Sequence, residues 1–268
     1  MSTGSAAQAP AEEPPVVRER HGRTELVRIN REAARNAIDG PTAIALSRAF
    51  DELTEDPEVW AVVLTGTGTR AFSAGMDLKA FASGQIGDIL SSPGGFAGIA
   101  QREFPKPLIA AVNGAALAGG FEIVLSCDLV VAAQHATFGI PEVKRGLVAA
   151  GGGVIRLARR IPYAVALELA LTGEPVSAAR AYELGLVNRV VPAEALVEEA
   201  LSLAETISAN APLAVRTSKA LLRRSLDLSE AEAWKLNAEM TAPVFASRDA
   251  IEGAVAFAEK RPPRWTGS

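Results

Sequence analysis

An α/β fold is predicted for this 268-residue chain from the order of its apolar patterns. Short apolar runs alternate with longer segments of helical spacing as far as Val191, and beyond it helical patterns stand alone. The length fits one large domain or a domain with an appendage, and either buries a sizeable core without staples.

Met1 to Pro15 is rich in Ala, Ser, Pro and Glu and has neither a basic start nor an apolar core, so it reads as a disordered tail rather than a secretory signal. Leu26 to Ile29 is the first strand-like run. Pro41 to Leu53 places Ile44, Leu46, Ala49, Phe50 and Leu53 near one helical face, with Asp39 and Gly40 as its start. Val59 to Leu64 is a second strand and ends at the turn Gly66-Thr67-Gly68. Phe81 to Gly98 holds Gly84, Gly87, Gly94, Gly95 and Ser91-Ser92-Pro93, a composition that breaks regular structure. It reads equally as a mobile flap over a site and as a plain surface loop. Leu108 to Val112, Leu129 to Ala132 and Val187 to Val191 supply further strands. Helices follow at Leu196 to Ile207, Pro212 to Leu222, Ser229 to Met240 and Asp249 to Glu259. The expected organisation is a tail over 1–15, a core over 16–205 and a helical region over 206–268. The Ala, Leu and Trp residues of that last region favour a subunit interface.

The bulk composition excludes several functions. A net charge of −4 provides no basic field for nucleic acid or an anionic membrane. No run approaches the roughly 18 apolar residues of a membrane span. Cys127, the single cysteine, forms no internal disulfide and reads as a small packed hydrophobe, which fits a reducing, cytoplasmic setting. His21 and His135, the only histidines, have no metal-ligand spacing, so no metal is expected. Ser73, Ser126 and Ser177 lie in no Gly-x-Ser-x-Gly elbow. Gly66-Thr67-Gly68 lacks the third glycine and the lysine of nucleotide loops.

Three tight segments carry the candidate chemistry. In the first, Ala74-Gly75-Met76-Asp77, Met76 offers a backbone donor. In the second, Asn113 to Glu122, a strand ends in a small-residue turn that opens a helix, so the amide of Gly119 or Gly120 is a natural donor to an enolate. The third, Phe138-Gly139-Ile140-Pro141, is followed by Glu142, and Gly151-Gly152-Gly153 downstream starts another helix that faces the same space. Each segment also has an ordinary reading. Asp77 caps a helix while Met76 packs in a core, Glu122 is a favourable first-turn charge, and Glu142 pairs on the surface with Lys144 or Arg145.

Taken in order, the three segments resemble the crotonase family, also called the enoyl-CoA hydratase/isomerase superfamily. The resemblance continues through Ser177 to Val187 and through Asp249-Ala250-Ile251-Glu252-Gly253 and Phe257-Ala258-Glu259-Lys260-Arg261. It implies a spiral of ββα units with a C-terminal helical region that builds a homotrimer or a dimer of trimers. It further implies an acyl-CoA thioester as substrate, with coenzyme A part of that substrate and no separate cofactor. By the same resemblance, the N–H groups of Met76 and Gly119 form an oxyanion hole and Glu122 and Glu142 are the acid/base pair of a lyase. Binding of CoA is expected along Ala71, Phe72, Ser73, Ala74, Asp77, Leu78, Lys79 and Gly120. Lys260 or Arg261 of an adjoining subunit is expected near the phosphates. Both glutamates being present favours hydration and its reverse over isomerisation, acyl-CoA hydrolysis or silent acyl-CoA binding. Two positions depart from the common pattern: Met76 replaces a smaller Ala, and Ala149-Ala150 replaces Pro-Gly. Pro93 to Gly98, Gly119 to Glu122 and the ending Pro262-Pro263-Arg264-Trp265 look closer to carnitinyl-CoA dehydratases.

Overall fold

The computed structural model describes residues 13–84, 86–90 and 92–268. Residues 1–12, most of the expected tail, lie outside the described residues. Pro15 is held, because its carbonyl accepts from the Asn30 N–H at 2.8 Å.

The chain opens with an antiparallel hairpin, β1 (Val16–His21) and β2 (Thr24–Ile29), and then enters α1 (Gly40–Glu55). The Asp39 side chain caps α1 by accepting from the Thr42 N–H at 2.9 Å, and Pro41 pre-sets its first turn. Leu46, Ala49, Phe50 and Leu53 are buried as expected. Ile44 is 57% exposed, a correction to the expected face: it lies about 160° round the helix from Leu46, and Ala43 takes the inward position.

The strands β3 (Ala61–Gly66), β4 (Ala71–Ser73), β5 (Leu108–Val112), β6 (Ala115–Leu117), β7 (Leu129–Ala133) and β8 (Thr137–Gly139) then alternate between two sheets. After β4 come α2 (Leu78–Ala82) and α3 (Ile86–Leu90), and after β6 comes α4 (Gly119–Ser126). After β8 a 3-10 turn (Pro141–Arg145) leads through the glycines to α5 (Gly153–Arg160) and α6 (Tyr163–Thr172). β9 (Val176–Ser177), α7 (Ala178–Glu183) and β10 (Arg189–Val191) complete the sheets. The larger sheet runs β1-β2-β3-β5-β7-β10 and the smaller β4-β6-β8-β9. Within them β3, β5, β7 and β10 run parallel, as do β4, β6 and β8.

Both faces of the central strands β3, β5 and β7 are buried, which explains their near-continuous apolar runs. Val62, Leu64, Leu108, Ala110, Val112, Val130 and Ala132 face the main core with Phe72, Phe121 and Phe138. The alternate residues Ala61, Val63, Ile109, Ala111, Val131 and Ala133 meet Leu196, Ala200, Leu203 and Ala204 of α8 (Leu196–Ser208) on the other side. The strand expected from Val59 begins at Ala61, because the Val59 N–H closes a turn onto Asp56 (3.2 Å).

Beyond α8 lie α9 (Pro212–Ser225), α10 (Glu230–Phe245) and α11 (Arg248–Ala258). Lys219 on α9 ties this region to the core through Asp128 at 2.6 Å and the Lys106 carbonyl at 2.7 Å. The Trp265 indole donates to the Ala209 carbonyl at 2.8 Å and so carries the C-terminus back to the end of α8. Among the described residues, no helix is long and apolar enough to cross a membrane.

Candidate active site

Three adjacent parallel strands of the smaller sheet, β4, β6 and β8, bring the three tight segments together. Their register pairs Ser73 with Ala116 and Leu117 with Gly139, so the residues that follow each strand emerge at one sheet end. Met76 follows β4, Gly119 and Glu122 follow β6, and Glu142 follows β8.

The donors are aimed by the backbone. Met76 forms an isolated parallel bridge with Ile38, made by the Ile38 N–H to the Gly75 carbonyl (2.8 Å) and the Asp77 N–H to the Ile38 carbonyl (2.9 Å). A parallel bridge of this kind engages the two neighbours of Met76, so its own N–H points to the opposite side. Gly75 has φ +86°, and a Cβ there would stand 2.7 Å from the Gly119 nitrogen, which places the two donors next to each other. Ala118 adopts φ 52°, ψ −131°, a sparsely populated conformation for a residue with a side chain. That strain turns the chain from β6 into α4 and leaves the Gly119 N–H at the helix start, where no intrahelical acceptor exists.

The carboxyls have contrasting surroundings. Glu122, in the first turn of α4, is 4% exposed, and its Oε1 accepts from the Gly153 N–H at 2.8 Å. Burial raises its pKa, while the amides of Gly153 and Gly151 and the charge of Arg156 pull the other way. Glu142 is pushed up to about 7, chiefly by burial, with the neighbouring Glu122 charge adding to the rise. Its Oε2 is buried with no hydrogen-bond partner among the described residues. Lys144 bonds Glu174 at 2.6 Å, so the surface pair Glu142–Lys144 does not form. One carboxyl thus accepts from amides brought by α5 while the other keeps a buried oxygen without a partner among the described residues, which suits a pair that shares one proton across a bound water.

The remaining expected site residues divide. Phe72 is buried in the core, and the Ser73 Oγ accepts from the Gly75 N–H at 3.1 Å. The Ala71 carbonyl accepts from Asn36 and Asn113, and the Ala74 N–H donates to the Arg35 carbonyl. These backbone groups are therefore already engaged. Gly120 packs so closely on β4 that a Cβ would stand 2.0 Å from the Ser73 carbonyl oxygen. Asp77 caps α2 through Lys79 and Ala80 and pairs with Arg31 at 3.2 Å. Despite its burial, those amides and Arg31 hold its carboxyl below the usual range. Leu78 and Lys79 are exposed beside it, and Lys260 is exposed beyond α11. Arg261 is engaged within its own chain by Glu252 (2.7 Å) and Glu259 (2.6 Å).

Two contributors were not among the expected site residues. The Phe96 ring occupies the space beside Gly119, where a Cβ would stand 2.5 Å from Cε1. Gly94 to Gly98 is buried, so this half of the expected flap is packed structure. Arg156 reaches both this segment and α4. Cys127 is buried and its thiol is pushed up to about 12, in keeping with a packing role.

Residues 20–268 match the family described as enoyl-CoA hydratase/isomerase. The carnitinyl-CoA dehydratase of Salmonella typhi is 43% identical over 237 residues, covering 87% of this chain and 91% of that protein. The crystal structure of enoyl-CoA hydratase from Mycobacterium tuberculosis H37Rv superposes with a TM-score of 0.92 at 49% identity, covering 96% of this chain and all of the other. Carnitinyl-CoA hydratase from Mycobacterium avium superposes at 0.76 with 46% identity, again over 96% of this chain and all of the other. Sequence and fold agree along nearly the whole described length, and the chain belongs to the enoyl-CoA hydratase/isomerase family.

Proposed function

We propose that the chain adds water reversibly across the 2,3 double bond of an acyl-CoA thioester, with Glu122 and Glu142 as the acid/base pair. The thioester oxygen accepts from the N–H groups of Met76 and Gly119, which stabilise the negative charge it gains. Each such donor contributes about 3 kcal/mol to lowering a barrier of this kind. The Glu122 carboxylate takes a proton from water as its oxygen bonds to the β-carbon. Protonated Glu142 gives its proton to the α-carbon, and the pair resets by passing one proton from Glu122 to Glu142. Dehydration reverses each step, and no metal or separate cofactor enters.

The observation that carries this assignment is the contrast between the carboxyls. Burial raises the pKa of both carboxyls, but the amides of Gly153 and Gly151 and the Arg156 charge oppose it at Glu122, whereas the Glu142 Oε2 has no hydrogen-bond partner among the described residues. Glu122→Gln and Glu142→Gln are each expected to lower turnover by roughly 10²-fold or more while acyl-CoA still binds. Near-normal hydration rates in both variants would overturn the mechanism. The similarity to carnitinyl-CoA dehydratases supports a second reading, a substrate bearing a quaternary ammonium group. Product analysis with crotonyl-CoA and with carnitinyl-CoA separates the two.

The assembly we propose is a homotrimer or a dimer of trimers in the cytoplasm. Leu222, Leu226, Trp234, Phe245 and Phe257 are exposed on the C-terminal helices and support an interface there. Lys79, and Lys260 supplied by an adjoining subunit, are the proposed contacts to the CoA phosphates.

A further inference from the structure

We infer that Arg156 is a positioning residue for this reaction, its guanidinium joining the turn that holds Glu122 to the segment that holds Phe96 beside the Gly119 donor. The inference rests on the acid/base reading of Glu122 given above.

Arg156 lies on α5 one turn after Gly152, and a Cβ on Gly152 would stand 2.5 Å from its Nη1. Nη1 donates to the Ser126 Oγ at 3.1 Å and, at 3.4 Å, to the Gly151 carbonyl. Ser126 Oγ in turn donates to the Glu122 carbonyl at 2.8 Å, so Arg156 grips the helix that carries Glu122. Nη2 donates to the Ala100 carbonyl, which follows the buried Phe96–Gly98 turn. One planar fork thus spans three segments that have no sequence continuity, a task to which arginine is suited and lysine is not. Gly151 and Gly153 are crowded against Glu122: a Cβ on Gly151 would meet Oε2 at 2.6 Å and one on Gly153 would meet Oε1 at 3.0 Å. A small movement of this turn therefore displaces the carboxylate.

The charge of Arg156 also favours the ionised form of Glu122. The charged groups facing Glu122 are Arg156 and Glu142. Those facing Arg156 are Arg223 on α9, Arg160 on its own helix and Glu122, and the nearby Cys127 thiol is neutral. Arg156 also lines a cavity of about 1480 Å³ bordered by α4, α5, α9 and α10.

The test compares Arg156→Met, Arg156→Lys and Glu122→Gln in the full-length protein. Arg156→Met is expected to lower kcat roughly tenfold or more with KM within about threefold, since displaced catalytic groups cost rate more than binding. Its acidic limb of kcat/KM is expected to move to higher pH, because Glu122 loses a favourable charge. Arg156→Lys keeps the charge without the fork, so the limb stays in place while kcat falls. If the Met variant does not fold, the Lys variant decides alone: a lowered kcat with an unmoved limb supports the role, and a wild-type kcat overturns it. An Arg156→Met protein with wild-type kcat or an unmoved acidic limb also overturns it. Should Glu122→Gln itself turn over normally, the acid/base reading falls. An inactive Glu122→Gln beside a wild-type Arg156→Met removes the Arg156 assignment alone.

Discussion

Gly75→Ala isolates the geometry of the two donors, because it changes neither N–H group and neither carboxyl. At φ +86° an added methyl first costs backbone strain, on the order of 1 to 2 kcal/mol. The new Cβ then stands 2.7 Å from the Gly119 nitrogen and 3.0 Å from the Ala118 Cβ, well inside van der Waals contact. Relief requires the β4 and β6 ends to separate by roughly half an ångström or more, and misplacement approaching 1 Å costs on the order of 10² in rate. Gly22→Ala is the matched control, since Gly22 has φ +57° and nothing within 4 Å of its Cβ. Both variants are expected to lose similar stability in urea unfolding from strain alone, with Gly75→Ala losing somewhat more. Only Gly75→Ala is expected to lose turnover, by roughly 10- to 100-fold with crotonyl-CoA. A Gly75→Ala protein that keeps kcat within threefold of wild type would show that the spacing of these donors does not govern the reaction.

The pH dependence of stability provides a second check, because the folded-state pKa of Glu142 is raised to about 7 above its ordinary value of 4.5. Its contribution to stability is present below pH 4.5 and is lost as pH rises through about 7, where the half-buried carboxyl must ionise. Glu142→Gln removes that loss, so its unfolding midpoint relative to wild type is expected to climb between pH 5 and pH 8. A constant difference across that range would contradict the raised pKa. Lys260→Ala is expected to raise KM for acyl-CoA several-fold, more at low salt than at high salt. KM for an acyl-pantetheine lacking the nucleotide phosphates should stay unchanged, and equal KM values for acyl-CoA in variant and wild type would remove Lys260 from the site.

The α/β pattern was legible because strand and helix periodicity arise from burial, and burial leaves apolar residues at fixed spacing. Val62 and Leu64 face one core while Ala61 and Val63 face the other, so β3 reads as an unbroken apolar run. The face of α1 was read less well at Ile44, where an apolar residue points to the exposed side. The flap reading rested on composition, on glycines with Ser91-Ser92-Pro93, and glycine marks close packing as readily as mobility. At Gly98 a Cβ would stand 2.4 Å from the Ser47 Cα, so this glycine marks a tight junction with α1.

Family motifs in the sequence identified Met76, Gly119, Glu122 and Glu142 as candidates and left each with an ordinary alternative. Tertiary structure bears on two of the ordinary readings. Asp77 is the cap that local reasoning allowed, whereas Lys144 bonds Glu174 and leaves the Glu142 Oε2 without a partner among the described residues. The roles of Phe96 and Arg156 emerge only in three dimensions, because Gly119 lies 23 residues from Phe96, Ser126 and Ala100 lie 30 and 56 residues from Arg156, and no local spacing encodes such contacts. By itself, the sequence determined most of the larger sheet and the helices, since long buried elements leave a local period, whereas the short strands β4, β6 and β8 of the smaller sheet read only as turn segments. The contrast between the two carboxyls was decided by the folded chain alone, because burial and amide donors brought from α5 set their proton affinities.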